Sequence, residues 1–512
     1  MLTRRQFIAT AAALGVLPPA AVRAALASNP FTLGVASGSP RDTSVVLWTR
    51  LAPEPLNGGG MPPGDVPVRY QVWADAEARR PVREGEALAL ARWGHSVHLK
   101  LEGLEPGREY FYRFAVGGFE TPLARTRTTS RDDRAIKLAI ASCQHYETNH
   151  YAAFRDMASW TPDCVVHVGD YIYEGAPSPL GARTREMFGR TVDFSVVRQH
   201  VGPETVTLWD YRNRYALYRT DPHLQAAHAA APWVVAMDDH EIDNNWAADV
   251  PQDPEKQTPL EFRVRRLAAL QAYYEHFPLE HPPLALGTDS SLQMYGRWRF
   301  GPALLHLLDT RQFRSDQVCG DGFPGAPACA AMEDPARSLL GPAQEAWLAE
   351  SLTRSDAAYN VIASQVWFSP LRYNAPPAAP ELNMDSWDGY GPARRRLLDV
   401  LGRGVAEPVF ISGDWHCAAA MTVHEDPLDA TTRTLAHEFA GTSIATPCPW
   451  AHRVTEARSH NPHVRYVNGD RRGYARFVVE PRQFTAQFRV VEAPQDPASR
   501  VATDLEIRTR DF

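Results

Sequence analysis

The sequence predicts an α/β protein preceded by an all-β domain, and three observations carry this. Residues 31 to about 130 read as short strands broken by Gly/Pro turns. From about residue 131, apolar strands alternate with helical patterns. The 512 residues, 44% hydrophobic and 22% charged, suffice for at least two domains with buried cores. The same composition excludes a disulfide miniprotein, a coiled coil and a disordered chain. A net charge of −7 argues against a nucleic-acid partner, because phosphate binding favours a basic excess. Almost all basic residues are Arg, with lysines only at Lys100, Lys137 and Lys256, which argues against a polybasic tail for a membrane surface.

Residues 1–27 stand apart. Thr3-Arg4-Arg5-Gln6-Phe7-Ile8 precede an Ala-rich apolar run from Ala9 to about Ala20, and Ala25-Leu26-Ala27 follows. A positive start, apolar middle and small-residue end make a secretory signal. The paired arginines resemble a twin-arginine signal, read by machinery that exports folded proteins. The apolar run is shorter than the roughly 20 residues of a membrane span, and Pro18-Pro19 and Arg23 interrupt it. Cleavage after about Ala27 is expected, giving a periplasmic or secreted protein with no stable membrane span.

Residues 28–130 form the first domain of the mature chain. Ser44–Thr49 is a β-branched and aromatic run, Val68–Trp73 largely alternates, and Gly58-Gly59-Gly60 lies between them. Leu104-Glu105-Pro106-Gly107-Arg108-Glu109-Tyr110 is a turn feeding a Tyr-rich strand. This segment resembles a fibronectin type III or immunoglobulin-like sandwich.

Residues 131–512 form the second. Apolar strands end abruptly in polar residues at Lys137–Ser142, Cys164–Gly169, Trp233–Met237, Leu304–Leu308, Val361–Ser364 and Pro408–Ser412. Leu260 to Phe277 has helical apolar spacing, and Gly341-Pro342 opens another helix. Strands return at Leu435–Phe439, Gly473–Val479 and Phe484–Val491.

Four strand ends carry the chemistry: Ala141-Ser142-Cys143-Gln144, Gly169-Asp170-Tyr171-Ile172-Tyr173-Glu174, Asp238-Asp239-His240-Glu241 with Asn244-Asn245, and Gly413-Asp414-Trp415-His416. Ligands of α/β sheets gather beyond the carboxyl ends of strands, so the four can converge. Clustered carboxylates repel unless cations neutralise them. A thiolate, a phenolate and an imidazole suit ferric iron, whereas carboxylates suit calcium or magnesium. Two adjacent metals are the design that clamps both oxygens of an in-line phosphoryl displacement. Taken alone, Asp238–Glu241 also reads as the acidic first turn of a helix, and Cys143 as a small core residue.

Together these motifs resemble the PhoD-like alkaline phosphatase/phosphodiesterase family of metallophosphatases, as do Leu308-Asp309-Thr310-Arg311-Gln312-Phe313-Arg314 and Asn461-Pro462-His463. The resemblance implies a two-sheet metallophosphatase sandwich flanked by helices. It implies Fe3+ held by Cys143, Asp170, Tyr173 and His416, with Asp170 bridging to Ca2+ held by Asp239 and Asp414; Asp238 and Asn245 are weaker calcium candidates. His240 is expected to protonate the leaving alkoxide. Arg311 or Arg314 is expected to clamp phosphate oxygens. The implied reaction is hydrolysis of phosphate mono- and diesters by attack of metal-bound hydroxide.

Some family members end in a helix over the metal site, but here Phe484–Val491 reads as a strand and only Leu505–Ile507 is apolar after it. The cleft is therefore expected to be open to larger esters. A disulfide is expected between Cys319 and Cys329, which flank a loop with little core of its own. Cys164, Cys417 and Cys448 read as buried or free thiols. Cys417 stays out of the cluster on the argument that it points away from His416 on a strand.

Overall fold

A computed structural model gives the architecture and describes residues 26–286, 289–320 and 324–512, together with 15, 16, 18 and 22. Most of the expected export signal thus lies outside the described residues, although Val22 and Leu26 pack against the core of the N-terminal sheets. No helix among the described residues is long and apolar enough to cross a membrane.

Two large sheets share one core. The first has nine strands in the order Val501–Arg508, Gln483–Val491, Gly473–Glu480, Ile136–Ala141, Cys164–His167, Pro232–Val235, Val35–Gly38, Ser44–Arg50 and Ser96–Glu102. The second has seven: Gly296–Phe300, Ala303–Leu307, Tyr359–Ala363, Pro408–Ser412, Thr434–Ala440, Ala418–His424 and Val464–Asn468. Strand periodicity explains how they pack. In Pro408–Ser412, Val409 and Ile411 enter the core shared with Leu138 and Ile140 of the first sheet, while Phe410 turns to the opposite face. There it meets Leu348 and Leu352 of the helix Gly341–Thr353 and Leu397 and Leu398 of the helix Gly391–Leu401. Strands covered on both faces lose the apolar–polar alternation, and each such Val, Ile or Phe contributes about 1.5–3 kcal/mol on burial.

The helix expected from Leu260 begins at Pro259 because its start is fully capped. Thr258 Oγ1 accepts from the Glu261 N–H at 3.3 Å, and the Glu261 carboxylate accepts from the Thr258 N–H at 2.8 Å. The helix ends at His276, before Phe277-Pro278.

The N-terminal segment is all-β as expected. A five-stranded sheet, Pro81–Ala89, Val66–Trp73 and Glu109–Val116 with Phe119–Glu120 and Ala124–Arg127, packs Val68, Val72, Tyr112 and Phe114 against Val45, Leu47 and Val97. The Glu105 N–H donates to Tyr110 Oη at 2.9 Å, so the Leu-x-Pro-Gly turn is tied to the strand it feeds. The expected boundary at residue 130 does not divide the hydrogen bonding. Val35–Gly38 pairs in parallel with Pro232–Val235, Ser37 opposite Pro232 and Gly38 opposite Trp233. Three strands from before residue 130 thus extend the nine-stranded sheet.

At the other edge, Val501–Arg508 adds an antiparallel strand that its half-exposed, weakly alternating residues did not announce. The chain then closes in a short turn, with the Phe512 ring 4.8 Å from that of His437.

Candidate metal centre

Topology alone brings the four motifs to one rim. Ile136–Ala141, Cys164–His167 and Pro232–Val235 are mutually parallel, and Pro408–Ser412 lies parallel to its neighbours in the other sheet. Their carboxyl ends open directly into Cys143, Asp170, Asp238–Asp239 and Asp414–His416. The rims touch: the Ile444 N–H donates to the Ser142 carbonyl at 3.0 Å, and a Cβ on Gly413 would stand 2.5 Å from Ser142 Oγ. Asp238–Glu241 is a turn and not the first turn of a helix. His416 likewise sits in a bend before the strand Ala418–His424, so strand alternation does not govern where Cys417 points.

The backbone at the rim is unusual. Cys143 (φ 56°), Asp170 (56°), Asn245 (52°), Asp414 (62°) and His416 (53°) all take the left-handed conformation. Non-glycine residues hold it only where the surroundings enforce it, and such sites concentrate at functional centres. Gly169 has φ +108°, and a Cβ there would lie 2.3 Å from Asp238 Cβ. Gly169→Ala is therefore expected to part the two acidic loops and lower kcat/KM about 100-fold, the usual cost of a 1 Å misplacement. Steady-state assays with a circular-dichroism check on folding test this; near-wild-type activity would contradict the packing described.

Three donor groups overlap: Cys143 with Asp170 and His416, Asp170 with Asp239 and His240, and Asp238 with Asp239 and Asp414. Within each, the ligand atoms lie within 4.8 Å of one another. Tyr173 adjoins the first group, its hydroxyl donating to Asp170 Oδ2 at 2.9 Å and lying 3.4 Å from His416 Nε2. The His416 Nδ1–H donates to the Pro447 carbonyl at 2.9 Å, which leaves Nε2 unprotonated and facing the cluster. Burial, with Arg472 nearby, pushes the His416 pKa down to about 3, so the ring is neutral as a ligand requires.

The electrostatics call for cations. Burial, followed by the neighbouring carboxylates, drives Asp170 and Asp414 well above the usual carboxylate range, and Asp238 rises too. The Cys143 thiol and the Tyr173 phenol are pushed up by burial and then by Asp170. Burial alone would raise Asp239 as well, but Arg311 and His240 outweigh it and hold it low. Asp170 Oδ1 and Asp239 Oδ1 are buried without a hydrogen-bond partner. Acceptor-only oxygens in such positions, beside a thiol, a phenol and an imidazole, fit metal ions.

Comparison with known proteins decides the family. Residues 138–488 match the family model described as PhoD-like phosphatase, and residues 17–130 match that of the PhoD-like phosphatase N-terminal domain. The chain belongs to the PhoD-like phosphatase family. It is 42% identical over 484 residues to alkaline phosphatase D of Bacillus subtilis (strain 168), covering 93% of this chain and 80% of that protein. A solved structure of PhoD superposes with a TM-score of 0.87 at 40% identity, covering 94% of this chain and 91% of that one. This PhoD-like phosphatase is accordingly a phosphoester hydrolase.

Several expected residues have other surroundings in this PhoD-like phosphatase. Arg311 is fully buried, with Nε 2.5 Å from Asp238 Oδ1 and its two terminal nitrogens 2.9 and 2.7 Å from the Asp385 carboxylate. Arg314 Nη1 lies 3.0 Å from the same Asp385. Asn461 and His463 brace loops: Asn461 Oδ1 accepts from the Arg372 N–H at 3.0 Å, and His463 Nε2 meets the Pro370 carbonyl at 2.9 Å.

Other residues were quoted in the motifs without a role, or missed. Glu241 accepts from the backbone N–H of Asp170 at 3.0 Å and of Asp238 at 2.7 Å, binding two acidic loops to each other. Glu174 Oε2 lies 2.7 Å from His240 Nδ1. Thr446 Oγ1 is 2.9 Å from the Tyr173 oxygen and 2.7 Å from the Cys143 carbonyl. Asp385, the partner of Arg311, follows only the two-residue strand Glu381–Leu382 and carries no local signal.

Proposed function

We propose that this chain is an exported alkaline phosphatase/phosphodiesterase whose centre holds Fe3+ and Ca2+. Cys143, Asp170, Tyr173 and His416 hold the iron in this reading, while Asp170, Asp239 and Asp414 hold calcium, with Asp238, which Arg311 engages, a weaker ligand. One observation carries it: a thiol–phenol–imidazole group and an all-carboxylate group are linked by a third, Asp170–Asp239–His240, which shares Asp170 with the first and Asp239 with the second. Bound there, the cations supply positive charge on phosphoryl oxygens and a water acidified toward neutral pH.

The chain's own side chains do the rest. The Glu174 carboxylate fixes the His240 ring through Nδ1, while the ring lies against Tyr173 with centroids 4.1 Å apart. Burial opposes a charge on His240, but Glu174, Asp239 and Asp170 together raise its pKa well above the ordinary value. With Nδ1 held by Glu174, Nε2 is the atom of His240 that would give a proton to the leaving oxygen. Arg311 takes a different role from the expected phosphate clamp. A guanidinium with no exposed surface, committed to Asp238 and Asp385, positions the carboxylates and does not reach a phosphate arriving from solvent.

The reading extends to the whole chain. Residues 1–27 act as a twin-arginine signal that delivers the protein to the periplasm or beyond, 28–130 as a fibronectin III/Ig-like domain, and 131–512 as a two-sheet metallophosphatase domain. We read the cleft as admitting diesters as well as monoesters. Assays with 4-nitrophenyl phosphate and bis(4-nitrophenyl) phosphate test this. Both are expected to be hydrolysed, with a calcium-selective chelator lowering turnover about 100-fold or more and Ca2+ restoring it. Activity indifferent to the chelator would remove calcium from the account.

A further inference from the structure

Cys417 and Cys448 adjoin the candidate centre without belonging to it. Their sulfurs lie 3.3 Å apart, closer than two sulfurs in ordinary contact. Each follows a residue that sets the His416 ligand: Cys417 follows His416, and Cys448 follows Pro447, whose carbonyl accepts the His416 Nδ1–H. Buried Arg472 already joins the two loops, one nitrogen donating to the carbonyls of both His416 and Thr446. Cys417 is buried, whereas Cys448 is partly exposed and lines a cleft of about 600 Å³ with His452, Asp470 and Arg472. The sulfurs need to approach by only about 1.3 Å to reach the roughly 2.05 Å of a bond. The chain also contains a disulfide, Cys319–Cys329, a bond that persists in oxidising surroundings.

We propose that Cys417 and Cys448 are joined by a second disulfide that locks the His416 loop to the loop carrying Pro447. The oxidant is itself a disulfide, small or protein-borne. The accessible Cys448 thiolate attacks one of its sulfurs, forming a mixed disulfide and expelling the first thiolate. The Cys417 thiolate then attacks the Cys448 sulfur and expels the second. Two electrons pass to the oxidant, and the two cysteine protons end on the departing thiols. The bond does not depend on which metal His416 holds, and its test does not read the metal.

The test is a thiol count on the full chain, isolated without reductant, denatured and alkylated with N-ethylmaleimide. Besides the Cys319–Cys329 pair, the cysteines are Cys143, Cys164, Cys417 and Cys448. The proposal expects two labels by intact mass, on Cys143 and Cys164, and a reducible cross-linked peptide joining Cys417 to Cys448. Cys448→Ser then raises the count to three although a cysteine has been removed, because Cys417 is released. Four labels on the wild-type chain, still four after treatment with glutathione disulfide, would overturn the proposal. A glutathione adduct at Cys448 without the cross-link would overturn it equally. The wild-type measurement decides even where the variant fails to fold.

Discussion

Asp170→Asn is expected to reduce kcat/KM for mono- and diesters about 10³-fold or more while leaving the fold intact. Asp170 is the residue common to the thiol–imidazole group and the group containing Asp239 and His240, so its loss damages both halves of the centre. Charge stabilisation by a bound metal is worth several kcal/mol, and each 1.4 kcal/mol is tenfold in rate. Asn is nearly isosteric with Asp and is among the side chains that best tolerate the left-handed backbone at this position. The variant also carries a stability signature. Burial first, and then Asp239, Asp238 and Glu241, raise the Asp170 pKa in the folded chain. A carboxyl shifted upward costs stability as the pH climbs from its unfolded pKa toward its folded one, because the unfolded chain releases the proton first. Asn removes that cost. In chelator at neutral pH, Asp170→Asn should therefore melt at or above the wild-type temperature, and in the presence of metals below it. A variant that keeps activity, or that melts lower in both conditions, would contradict the role given to Asp170.

The second large effect falls on His240. If its proton goes to the leaving oxygen, His240→Asn should slow esters of alkyl alcohols about 10²–10⁴-fold, the usual range for general acid catalysis. Esters of 4-nitrophenol, whose anion leaves without help, should slow far less. Paired kcat measurements on an alkyl phosphate and 4-nitrophenyl phosphate separate this from a binding defect. Equal losses on both would assign His240 to metal or phosphate binding instead. Glu174 belongs to the same argument, because its carboxylate faces His240 Nδ1 and sets which way the ring points.

Much of this was legible because parallel strands advertise their ends. Cys164–His167 is short and wholly buried, and it opens into Gly169-Asp170 within three residues. A run of apolar side chains stopped by an acidic residue is a local signal, and the sheet gathers such ends on one side. The helix from Pro259 was readable for a similar reason, since Thr258, Pro259 and Glu261 form a complete start signal.

Long-range partnerships were not legible. Nothing near Asp385 marks it as the counter-charge that buries Arg311, 74 residues away in sequence. The same is true of Val35–Gly38, whose residues suit a sandwich edge equally well whether or not Pro232–Val235 lies beside them. The edge strand Val501–Arg508 is half exposed, so its composition carries little apolar signal. Glu241 was visible as part of a motif, but its task of accepting backbone N–H groups from two loops exists only once those loops meet.

The central claim is that one centre combines iron at Cys143, Asp170, Tyr173 and His416 with calcium at the neighbouring carboxylates. Metal analysis and a visible spectrum of the purified protein test it most directly. The account predicts stoichiometric iron and calcium, and a tyrosinate-to-iron absorption band that vanishes in Tyr173→Phe. Colourless protein containing zinc or manganese in place of iron would contradict it.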